Sequence, residues 1–110
     1  MEYKNLLLIC ASGITTGLLV RSIQKNIEAR DIPIHVYSAP AIISEQIIND
    51  QKIDGIMIGP QARYEISRLE DLLSFKKIPY KLISDENYEL LNGAGVLEEG
   101  MKMLKMETSK

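Results

Sequence analysis

The hydrophobic pattern of this chain alternates between two kinds of segment. Four short apolar runs have the length and composition of β-strands and lie at residues 6–9, 34–37, 55–58 and 80–83, and the last three are bounded by Pro, Gly, Asp or Ser. Segments with apolar residues at helical spacing follow each run. Their predicted buried faces are Leu19, Ile23 and Ile27; Ile43 and Ile47; Ile66, Leu69, Leu72 and Leu73; and Leu97, Met101 and Leu104. The pattern therefore predicts four strands alternating with four helices.

This alternation indicates an α/β fold with a parallel sheet, because parallel neighbours need crossover connections and helices supply them on both faces. The first and third apolar runs are continuous, as expected for central strands that are covered on both sides. The second and fourth contain His35 and Lys81, which suit edge strands. We therefore expect a single domain over residues 1–110, with a four-stranded sheet in the order 2-1-3-4 and a phosphate-binding loop after strand 1.

The predicted order defines one point where the chain changes direction across the sheet, between strands 1 and 3. Ligands of open α/β sheets bind in the crevice beyond the carboxyl ends of the strands at such a point. Cys10 follows the first strand directly, and Gly59, Pro60 and Gln61 follow the third. The topology therefore predicts that Cys10 lies at the ligand position.

The residues after Cys10 indicate what this cysteine does. Ser12, Gly13, Thr15 and Thr16 form a small polar stretch before helix-forming residues resume at Leu18. A loop ahead of a helix can direct backbone N–H groups and the positive end of the helix dipole at one anion. A thiolate there could attack phosphorus and hold the phosphoryl group. A free cysteine is also often inert core, but the loop favours the reactive interpretation.

Composition narrows the classes of partner. The 110 residues carry a net charge of −2 without a basic block, which argues against nucleic acid. One cysteine allows no internal disulfide, and no apolar run has membrane-spanning length, so we expect a cytoplasmic protein. We expect no metal and no cofactor, because the spacing of His, Cys and acidic residues suggests no metal site.

The segment LICASGITTGLLV at residues 8–20 resembles the active-site segment of lactose/cellobiose-type IIB components of the bacterial phosphoenolpyruvate-dependent sugar phosphotransferase system. The motif IGPQ at 58–61, followed by Tyr64, resembles the family's third-strand exit, and GAGVL at 93–97 resembles the start of its last helix. These segments span nearly the whole chain in the expected order.

The resemblance implies a phosphocarrier, a component of a protein-phosphohistidine–sugar phosphotransferase. Cys10 would accept a phosphoryl group from a phosphohistidine of an EIIA protein and pass it to a sugar, such as cellobiose, chitobiose or lactose, that a membrane-embedded EIIC transporter imports. The implied carrier is a monomer when free and reaches the inner face of the membrane transiently through EIIC. The implied phosphate-binding residues are Ala11, Ser12, Gly13, Ile14, Thr15, Thr16 and Gly17, and the implied docking residues are Gly59, Pro60, Gln61 and Tyr64.

Other classes with a related strand, loop and helix fit the chain less well. Low-molecular-weight tyrosine phosphatases and arsenate reductases need an arginine six residues after the cysteine, and this chain has Thr16 there. A receiver domain needs an aspartate at the end of strand 3, where Gly59 stands. The Walker loop needs Gly-Lys-Ser/Thr, but Leu18 follows Gly17. An FMN-binding fold could use the loop, although the chain has no tryptophan for flavin stacking.

Overall fold

The computed structural model describes residues 3–10 and 14–106, and within these ranges strands and helices alternate up to the fourth strand, which two helices follow. The elements are β1 (Lys4–Cys10), α1 (Ile14–Arg30), β2 (Ile34–Pro40), α2 (Ala41–Asp50), β3 (Gly55–Ile58), a 3₁₀ turn (Pro60–Ala62), α3 (Glu65–Lys76), β4 (Tyr80–Leu82), α4 (Asp85–Glu89) and α5 (Gly93–Met103). All four predicted strands are present, and β1 and β2 are longer than expected.

The four strands form one parallel sheet in the order β2-β1-β3-β4, which confirms the predicted topology. Strand β1 pairs with β2 along its whole length, from Lys4 opposite Ile34 to Cys10 opposite Pro40. On its other side β1 pairs with β3 from Leu6 to Ile9. The two continuously apolar strands are therefore central, as their covered faces require.

Helices cover both faces of the sheet, and each face has its own core. Side chains alternate along a strand, so Leu6 and Leu8 point to one face while Leu7 and Ile9 point to the other. The Leu6 face packs under α1 and α5, and the Leu7 face packs under α2 and α3. All four of these leucine and isoleucine side chains are at most 1% exposed.

The predicted buried face of α2 was wrong in part. Ile43 is 42% exposed and Ile47 is only half-buried. The buried residues of this helix are Ala41, Ser44 and Ile48. Isoleucines occupy neighbouring positions at both ends of α2, so the apolar pattern fits two faces equally well. Ser44 can be buried because its hydroxyl donates to the carbonyl oxygen of Ala41 at 2.8 Å.

Helix α4 was not predicted, and it lies between β4 and α5. Its N-cap is Ser84, whose hydroxyl oxygen accepts from the backbone N–H of Asn87 at 3.1 Å. Asp85 and Glu86 occupy its first turn, where negative charge is favourable. The Ser-Asp-Glu sequence was therefore the local signal for this helix.

Candidate functional site

Cys10 is the last residue of β1, at the carboxyl edge of the sheet between β2 and β3. It is 5% exposed, and its thiol donates to the carbonyl oxygen of Ala39 over a long distance of 3.8 Å. By strand alternation the Cys10 side chain shares a face with Leu6 and Leu8, which is the face covered by α1. The cysteine therefore lies at the switch point of the sheet, where the topology predicted it.

Helix α1 begins at Ile14, so the helix starts four residues earlier than the predicted Leu18. The weak helix propensity of Thr15, Thr16 and Gly17 is overridden here by tertiary contacts, since Thr16 is buried at 2% exposure. The first four N–H groups of a helix have no partner within it. The predicted anion-binding amides of residues 14–17 therefore belong to a helical turn, and the predictions for Ala11, Ser12 and Gly13 fall outside the described residues.

The strand β3 exit lies beside Cys10. The backbone N–H of Gly59 donates to the carbonyl oxygen of Ile9 at 2.8 Å, which extends the pairing of β1 with β3 by one residue. A Cβ atom at Gly59 would lie 3.8 Å from the Cβ of Cys10. Gly59 and Pro60 are buried, whereas Gln61 and Tyr64 are exposed. Two of the four predicted docking residues therefore present side chains to solvent, and the other two set the path of the backbone.

The structure adds Tyr88 of α4 to this site, a residue for which the sequence indicated no role in phosphoryl transfer. Its hydroxyl lies 3.0 Å from the hydroxyl of Thr16, and the Tyr88 side chain is 6% exposed. A Cβ atom at Gly59 would lie 3.5 Å from the Tyr88 ring. Tyr88 and Cys10 therefore approach the same glycine.

Exposed apolar side chains follow the other three strands at this edge. Ile42 lies two residues after β2 and is 84% exposed, Tyr64 follows the 3₁₀ turn after β3 and is 62% exposed, and Leu90 follows α4, the helix after β4, and is 68% exposed. The strand order places Ile42 on one side of Cys10 and Tyr64 and Leu90 on the other. Exposed apolar surface of this kind is typical of a protein interaction site.

An ion-pair network fixes the helix that carries Ile42. Arg68 of α3 donates to Glu65 at 2.6 Å, to Glu45 of α2 at 3.0 Å and to the carbonyl oxygen of Ala41 at 3.2 Å. The hydrogen bond to Glu65 raises the pKa of Arg68 above its ordinary value, so the guanidinium stays charged at any working pH. The start of α2 is therefore held against α3.

A protein-family model described as PTS system, Lactose/Cellobiose specific IIB subunit, matches residues 5–99. The chain belongs to this IIB family. The solution structure of the cellobiose-specific phosphotransferase IIB component from Borrelia burgdorferi is similar, with a TM-score of 0.77 and 26% identity over 94% of each chain. The lactose-specific IIB component domain from Streptococcus pneumoniae has a TM-score of 0.76 at 16% identity, covering 90% of this chain and 98% of that one, and shows the shared fold.

Membership makes this chain a component of a sugar phosphotransferase system, in which IIB components generally work with EIIA and EIIC partners. The tyrosine-phosphatase alternative is not favoured. The described part of this IIB component contains no group of three or more His, Cys, Asp or Glu residues placed to hold a metal ion. None of its described helices is long and apolar enough to cross a membrane.

Proposed function

We propose that Cys10 of this IIB component carries the phosphoryl group between an EIIA protein and a sugar. In the first step the Cys10 thiolate attacks the phosphorus of a phosphohistidine on EIIA. The S–P bond forms, and the N–P bond breaks with its electron pair remaining on the histidine. In the second step a hydroxyl of the sugar brought by EIIC attacks the same phosphorus, so that an O–P bond replaces the S–P bond and the hydroxyl proton is lost to solvent.

The observation that carries this proposal is the position of Cys10 within a chain that belongs to the IIB family. It is the only cysteine, and it ends β1, one of the two central strands, at the switch point ahead of the amino end of α1. A helix amino end stabilises both a thiolate and a bound phosphoryl group. The phosphate-binding residues of the proposal are Ala11, Ser12, Gly13, Ile14, Thr15, Thr16 and Gly17.

EIIA and EIIC must each reach the same sulfur, so we assign both to one docking surface at the carboxyl edge. Gln61 and Tyr64 are its exposed residues from the β3 exit, and Ile42 and Leu90 extend it along the edge. The two partners then compete for the carrier, which acts in the cytoplasm and visits the inner face of the membrane only while bound to EIIC. The proposed acceptor is a disaccharide such as cellobiose, chitobiose or lactose.

Replacement of Cys10 by Ser tests the proposal directly. A serine hydroxyl is similar in size to the thiol but is a far poorer nucleophile near neutral pH. After incubation with phosphoenolpyruvate and the upstream phosphocarriers, we expect the wild-type mass to rise by one phosphoryl group and the Cys10→Ser mass to stay unchanged. A circular dichroism spectrum and a urea midpoint equal to those of the wild type control for folding. Phosphorylation of Cys10→Ser at the wild-type rate would rule out Cys10 as the carrier.

A further inference from the structure

Tyr88 and Thr16 form a buried hydroxyl pair that links two distant parts of the chain. Their oxygens are 3.0 Å apart although 72 positions separate the residues in sequence, and their exposures are 6% and 2%. Thr16 lies in the first turn of α1, six residues after Cys10. Buried hydroxyls need partners, so each of these groups satisfies the other.

The pair lies on the Cys10 side of the sheet. Tyr88 belongs to the core cluster of Leu6 and Leu8, and strand alternation turns Cys10 to that same face. The position of Gly59 supports this placement of Tyr88 near Cys10, because a Cβ atom at Gly59 would touch both the Tyr88 ring and Cys10. The Tyr88 ring is thus separated from Cys10 by about the width of one small residue.

We propose that Tyr88 is a positioning residue that orients the Thr16 hydroxyl toward a phosphoryl group on Cys10. The inference rests on the proposed function of Cys10. A threonine in a helix divides its hydroxyl between two rotamers, one of which bonds a carbonyl of the preceding turn. When the Tyr88 phenol donates to Thr16 Oγ1, it holds one rotamer and leaves the threonine proton free to donate to a phosphoryl oxygen. That oxygen is charged, so this hydrogen bond is stronger than one between neutral groups.

Hydrogen bonds around α4 restrict the movement of Tyr88. The helix has only five residues and could not persist alone. Besides its Ser84 cap, Asn87 donates to Glu99 of α5 at 3.2 Å and accepts from Asn92 at 3.0 Å. These contacts fix the residue next to Tyr88 from two directions. A phenol fixed in this way can orient Thr16 without further loss of conformational freedom when the phosphoryl group arrives.

Tyr88→Phe removes the phenol oxygen and keeps the ring, and Thr16→Val removes the threonine hydroxyl and keeps the branched shape. We expect each to lower the maximal single-turnover rate of Cys10 phosphorylation by phosphorylated EIIA about tenfold, equal to about 1.4 kcal/mol, with KM for EIIA unchanged. The double variant should be no slower than either single variant, because both changes break one interaction. Thr16→Ser should recover most of the rate, and the ³¹P resonance of the phosphocysteine should move in the same direction in Tyr88→Phe and Thr16→Val.

Tyr80→Phe is the matched control, since Tyr80 opens β4 at the opposite edge of the sheet and should keep the wild-type rate. A wild-type rate in Tyr88→Phe, or additive losses in the double variant, would overturn the inference while Cys10 remained the carrier. If Tyr88→Phe fails to fold, equal rates in Thr16→Val and Thr16→Ser would overturn it instead. Failure of the wild-type protein itself to gain a phosphoryl group would overturn the proposed function.

Discussion

The two edges of the sheet present different chemistry although the same strands form both. At the carboxyl edge, Cys10 ends β1 directly before the amino end of α1. At the amino edge, a cavity of about 740 Å³ lies where α3 and α5 end, and Lys4, Lys77 and Lys105 line it. A volume of this size is common for small-molecule sites, yet Cys10 does not line it.

For the phosphoryl group that we propose on Cys10, the difference favours helix direction, rather than concavity or local lysines, as the feature that determines its place in this fold. Helix amino ends carry partial positive charge and free N–H groups, whereas helix carboxyl ends carry partial negative charge. The lysines at the amino edge face the carboxyl ends of α3 and α5 together with Asp54 and Glu70. Their charge is therefore offset by the surrounding protein, while the positive end of α1 follows Cys10, the proposed phosphorylation site.

The largest expected difference between the two edges of the sheet is the loss of stability when a glycine there is replaced by alanine. A Cβ atom at Gly93, at the start of α5, would collide with the Ser22 side chain and come within 2.7 Å of the backbone of Ser22 and Ile23. Gly93→Ala should therefore force α5 away from α1 and lower the free energy of unfolding by about 2–3 kcal/mol. The urea midpoint measures this loss.

Gly55→Ala is the matched change at the amino edge. The nearest atoms to its added Cβ would be the ends of the Met103 and Leu104 side chains, at 2.8 Å, and these can rotate away. We expect a loss below about 1 kcal/mol. Equal losses in the two variants would show that the carboxyl edge is not the more rigid of the two.

The second expected difference is in partner binding. Ile42 at the carboxyl edge and Phe75 near the end of α3 are equally exposed, at 84% and 85%. Ile42→Ser should raise the KM for phosphorylated EIIA about tenfold, or about 1.4 kcal/mol, because we assign Ile42 to the few interface residues that carry most of the binding energy. Phe75→Ser should leave that KM unchanged. A rise with Phe75→Ser and none with Ile42→Ser would place the docking surface elsewhere.

The smallest expected effects are stabilising. Gly17 is exposed in the first turn of α1, and a Cβ atom there would meet nothing within 4 Å. Gly17→Ala should raise the free energy of unfolding by about 0.5–1 kcal/mol, because alanine has less freedom to lose on folding. At the amino edge Lys77 directly follows α3 with φ of 59°, so Lys77→Gly should add about 0.5 kcal/mol to the free energy of unfolding by relieving a left-handed conformation. Urea midpoints with an unchanged m value test both, and a fall in either would contradict the local geometry.

Much of the fold could be predicted from local patterns. The order of strands followed from the continuous apolar runs of β1 and β3, and β3 has the predicted bounds. The pattern was less informative in α2, where adjacent isoleucines fit two faces and Ile43 proved exposed. Burial of Ser44 depended on a hydrogen bond within the helix that hydrophobicity does not encode.

By itself the sequence determined that Cys10 ends a central strand, because strand length, apolar period and connection order are local properties of the chain. Only the tertiary structure decided that α1 starts at Ile14 and that Tyr88 reaches Thr16. Both depend on contacts between residues far apart in sequence, since helix propensity alone disfavours the first turn of α1. Local patterns determine which side of a helix or strand is apolar. The packing of α1, α4 and α5 determines which polar side chains meet, as Thr16 and Tyr88 do.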